Sequence, residues 1–108
     1  MKWYKNLYLG EGVETKAREI INKIKKNKPT IDVYVIALAS NPENQLDVIP
    51  SWELLQKGYP KDRLRIIGLA QGKKEALQLV TDLVDEVYQK TGDVKILPYL
   101  KEEWRERV

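Results

Sequence analysis

Apolar and polar positions change period several times along the chain, and each change marks an element. Residues 3–9 are apolar-rich and stop at Gly10, Glu11 and Gly12, which predicts a strand or an extended arm. Val13, Ala17, Ile20, Ile21 and Ile24 then fall on one helical stripe, with Lys16, Arg18, Lys23, Lys25 and Lys26 off it. Lys28 and Pro29 end that helix. Residues 31–39 read IDVYVIALA, an almost continuous apolar run expected of a strand covered on both faces. Ser40, Asn41, Pro42, Glu43 and Asn44 break the run.

Residues 46–59 are mixed. Pro50 interrupts them, so a short helix over residues 52–57, capped by Ser51, is expected. Residues 64–70, LRIIGLA, predict a second buried strand. Residues 73–90 carry a wide apolar stripe through Ala76, Leu77, Leu79, Val80, Leu83, Val84, Val87 and Tyr88, the pattern of a helix lying flat on a sheet. Gly92 stands where a left-handed cap closes a helix. Pro98 suits the first turn of a last helix reaching Trp104. Strands alternating with helices imply an α/β fold with parallel strands and crossovers. The expectation is one domain over residues 1–108, a small two- or three-stranded parallel sheet covered by helices in α/β/α-like layers.

Composition narrows the chemistry. The chain has 108 residues, no cysteine and no histidine. Thiolate metal sites, disulfides and cysteine nucleophiles are excluded. The commonest general base and the usual partner of a serine nucleophile are missing too. The reading therefore leans away from an enzyme and implies no cofactor. No apolar run reaches the length of a membrane helix, and residues 1–6 lack the apolar centre of a signal peptide, so a cytoplasmic protein with no membrane partner is expected. Residues 1–30 hold eight Lys/Arg against three Glu, a net +5, whereas the whole chain carries +3. The basic excess belongs to the N-terminal third.

Three candidate sites follow. In a parallel α/β sheet, ligands bind beyond the carboxyl ends of the strands. There Gly10, Gly12, Ser40, Asn41, Gly72 and Lys73 would meet and point backbone N–H groups at a phosphate, a nucleotide or another small anion. The motif departs from a P-loop: three residues, not four, separate Gly68 from Gly72, and Lys74 stands where a hydroxyl would hold magnesium. Glu11 would repel phosphate. The plainer reading is that the glycines only turn the chain. Second, Lys23, Lys25 and Lys26 on the first helix, beside Trp3, Tyr4 and Tyr8, form a candidate nucleic-acid surface, or else a solvated helix face. Third, Asp82, Asp85 and Glu86 share one polar face that a hard cation would suit, or that simply meets water. Neither Ser40 nor Ser51 has a histidine to activate it.

Segments 6–11 (NLYLGE), 32–41 (DVYVIALASN), 65–72 (RIIGLAQG) and 86–92 (EVYQKTG) resemble a group of short uncharacterised proteins of clostridia and related Firmicutes. The likeness spans nearly the whole chain. It implies a bacterial cytosolic protein and supplies no binding or reacting residues. The leading expectation is a non-catalytic module that binds protein, itself included, as a homodimer closed over an open sheet edge. The alternatives are a phosphate- or nucleotide-binding domain on the turns and a nucleic-acid binder on the basic helix.

Overall fold

A computed structural model describes residues 1–39 and 45–105. Four strands form one sheet: β1 (Lys2–Leu9), β2 (Val33–Leu38), β3 (Leu46–Pro50) and β4 (Arg65–Gln71), in the order β1-β4-β2-β3. The described residues also form three α-helices, α1 (Ala17–Lys25), α2 (Gly72–Thr91) and α3 (Ile96–Arg105), with a 3₁₀ turn over Glu11–Lys16 leading into α1.

The sheet is mixed, which corrects the expected two- or three-stranded parallel sheet. Only β1 and β4 pair in parallel; β2 runs antiparallel to both β4 and β3. The reason lies in residues 46–59. Leu46–Pro50 is a strand returning beside β2, and Ser51–Leu55 is a 3₁₀ turn rather than the expected helix. Leu46 and Val48 pack on one side of β3 and Ile49 on the other, the two-residue alternation of a strand. Residues 3–9 do join the sheet, at its edge.

Two cores lie on opposite faces. On one, α1 sets Ile20 and Ile24 against Val33, Val35, Ala37 and Leu69. On the other, α2 and α3 set Leu83, Val87, Ile96 and Leu100 against Ile36, Leu38 and Ile67. Successive residues of β2 thus feed different cores, which explains its unbroken apolar run. At β4 the alternation slips, because Ile36 faces Gly68 and Ala37 faces Ile66, leaving Ile67 as the extra residue of a bulge. The β1 register slips beside the same residue, between Trp3 and Tyr8. Gly68 permits this: a Cβ there would lie 2.9 Å from the Tyr8 carbonyl oxygen.

The helix ends follow local rules. Asn27 takes φ +56°, its N–H donates to Ile24 O (3.1 Å), and the Lys28 N–H donates to Lys23 O (2.8 Å), a Schellman closure of α1. Gly92 (φ +73°) closes α2, as its place in the sequence predicts.

Candidate functional site

Parallel pairing brings the ends of β1 and β4 together, and antiparallel pairing brings the start of β2 beside them, since Val33 faces Gln71. Gly10, Gly12 and Gly72 therefore do gather at one end of the sheet. β2 finishes at the far end, so the strand before Ser40 and Asn41 leads away from the glycine turns; those two residues themselves lie outside the described residues. The expected meeting of three turns needed a parallel β2.

An anion already occupies the gathered turns, and it belongs to the chain. The Glu75 carboxylate accepts the Gly12 N–H (2.8 Å) and the Gln71 N–H (2.5 Å). In the second bond the first turn of α2 reaches back to the N–H of its own N-cap residue, which the helix would otherwise leave without a partner. A Cβ on Gly10 would lie 2.3 Å from Glu75 Oε2, and one on Gly12 would lie 2.6 Å from Gln71 Cβ. These glycines make room for α2. Gly72 (φ +80°) donates its N–H to Asp32 O (2.7 Å), continuing the β2–β4 ladder. Lys73 is exposed. The adjoining cavity, about 520 Å³, is lined by Glu11, Glu75 and Asp82 with Lys74 as its one cation, a field that repels phosphate.

Glu75, Asp82 and Glu86 of α2 accept hydrogen bonds within the fold, while Asp85 is exposed. Asp82 accepts from Gln78 Nε2 (2.9 Å), while Glu86 Oε2 accepts the hydroxyls of Tyr8 (2.6 Å) and Tyr99 (3.0 Å). Burial, and then the bond to Glu86 and its charge, push the Tyr8 phenol far above its ordinary value, so it stays protonated. Tyr4 stacks on Tyr8 with ring centroids 6.2 Å apart. No group of three potential metal ligands occurs among the described residues. Ser51 is buried and shares a hydrogen bond with Thr30 (2.6 Å).

The basic face is different, because little neutralises it. Lys23 and Lys25 on α1 and Lys26 at its C-cap are all exposed. Lys23 makes an ordinary surface pair with Glu19 (3.5 Å). Lys25 Nζ lies 5.9 Å from the Trp3 ring centroid. A groove of about 530 Å³ runs along the helix, lined by Lys16, Arg18, Lys23, Lys26 and Lys28 with Thr15, Glu19 and Asn22. Of the three expected aromatics only Trp3 packs on this side; Tyr4 and Tyr8 pack in the α2–α3 core. Sequence reasoning missed the 3₁₀ turn Lys61–Arg63, which Lys61 Nζ ties to Asn27 Oδ1 at the end of α1. No local pattern announces a contact across 34 positions.

No helix among the described residues is long and apolar enough to cross a membrane. The chain matches no protein-family model, no curated protein and no solved structure.

Proposed function

We propose that this chain is a non-catalytic binding module whose working surface is the basic face of α1, extended by Lys61 and Arg63. The observation that carries this reading is the concentration of exposed cations around one helix, with Glu19 as the one acid lining its groove. The non-catalytic part rests on the absence of histidine and cysteine and on the engagement of Glu75, Glu86 and Ser51 in hydrogen bonds that hold the fold.

Two sequence expectations draw less support. A small anion at the glycine turns would have to displace Glu75. Self-association through a sheet edge meets obstacles at both edges. β1 is broken by its bulge and carries exposed Lys2 and Lys5. β3 is five residues long. The Ala39 N–H donates to Gln45 O in register with the β2–β3 ladder, so by alternation Leu46, Val48 and Pro50 turn their backbone outward. Pro50 offers no donor there. These are features that protect edges.

The test is an ¹⁵N–¹H titration of the whole chain with polyglutamate and, separately, with a short oligonucleotide. Amide shifts should concentrate in residues 16–28 and 61–63. Shifts confined to Gly10, Gly12 and Gly72 would return the site to the turns. No shifts with either polyanion would end the reading.

A further inference from the structure

Resting on that reading, we infer that the partner of the basic face is a nucleic acid, held by its phosphate backbone. The groove's composition selects among polyanionic partners. Its lining residues are all charged or polar, and the exposed aliphatic side chain bordering Lys16, Glu19 and Lys23 beside it is Ile31. A protein partner of any affinity needs a desolvated centre of aromatic or aliphatic anchors, and rings of lysine are depleted from such centres. A membrane surface attracts cations too, but stable binding there also calls for an apolar helix face to insert. The apolar face of α1 is spent on the fold, with Ile20 and Ile24 at 5% and 4% exposure. A phosphate backbone needs neither. It asks for cations and hydrogen-bond donors along a track, and counterion release supplies the free energy. Thr15 and Asn22, set among the cations, are donors of that kind. Trp3, beneath Lys25, and Tyr59 are the aromatics packed on this side among the described residues, and both are partly buried in the core, so base stacking contributes little and the affinity is indifferent to sequence.

The experiment is fluorescence anisotropy of the whole chain against a labelled single-stranded oligonucleotide and its duplex. Polyglutamate and anionic phospholipid vesicles serve as competitors. Binding at about 50 mM salt should weaken linearly on a log–log salt plot, each phosphate contact contributing a slope of about 0.7–0.9. Lys26→Glu with Lys28→Glu should lower affinity by about tenfold or more and reduce the slope by about 1.5. Lys26→Gln with Lys28→Gln, which adds no negative charge, should do the same more weakly. Lys73→Glu with Lys74→Glu, at the other basic pair, should change neither. Loss of binding in that last variant equal to the loss in the first would overturn the inference, as would no binding to either oligonucleotide. Competition by polyglutamate or vesicles at equal charge concentration would also overturn it, while leaving the basic face standing as the working surface.

Discussion

Glu75 shows how one side chain sets the meaning of several others. Its carboxylate satisfies two backbone donors, one four positions away and one 63 positions away, and the glycines at positions 10 and 12 make space for it. Glu75→Ala should cost about 1–2 kcal/mol, because the Gly12 and Gln71 N–H groups lose their acceptor. Gly10 has φ −66° and ψ 156°, an ordinary extended backbone that alanine accepts without strain. Gly10→Ala should nevertheless destabilise by a similar amount, since its methyl would push the flexible carboxylate off those donors. The two changes act on one interaction, so the double variant should cost about as much as either alone. Urea unfolding of the four proteins measures this, and additive losses would sink the account. The sequence announces these glycines correctly as special positions. It does not announce what they accommodate, because the partner arrives from the far end of the chain.

At the scale of elements, Glu86 does for β1, α2 and α3 what Glu75 does for the turns. Tyr8 and Tyr99 reach it from either side and hold the last helix and the edge strand to α2. The Tyr8 phenol, raised above 10.0 in the folded chain, binds its proton more tightly there than in the unfolded chain. Its contribution to stability is therefore complete below about pH 10 and declines as pH rises beyond that. Tyr59, raised chiefly by burial, adds to the same decline. Urea midpoints should fall steeply above pH 10, and less steeply in Tyr8→Phe; identical slopes would remove Tyr8 from the explanation.

The helices were readable to within a few residues, because amphipathic stripes and the Gly92 cap are local signals. Strand direction was not. β2 is buried on both faces and so lacks the alternation that would reveal its partners. The hairpin signal was the turn-forming string from Ser40 to Asn44 between two apolar runs. The weight given to helix in residues 46–59 concealed it.

Across the whole molecule the charges are arranged against stability near α1, and binding offers a reason for that arrangement. Lys16, Arg18, Lys23, Lys26 and Lys28 share one groove with a single acid. Two unit charges about 10 Å apart in water repel by about 0.4 kcal/mol; five cations make about ten such pairs, and their attractions to Glu19 offset about half of that. The helix dipole, which favours cations at the α1 C-terminus, returns about 0.3–1 kcal/mol and only within the last turn. Repulsion therefore exceeds the dipole, even after the unfolded chain keeps part of it. Salt screens both, and at about 0.5 M the Debye length falls below the spacing of the cations. Raising salt from about 0.05 to about 0.5 M should thus raise Tm by several degrees, given about 4–8 °C per kcal/mol for a domain of this size. Lys26→Glu should raise Tm at low salt and flatten its salt dependence, although it removes a residue proposed to bind. A stabilising change that weakens binding is the signature of a surface kept for a ligand rather than for the fold. A Tm that falls with salt, or that drops in Lys26→Glu, would mean that these cations serve the fold itself.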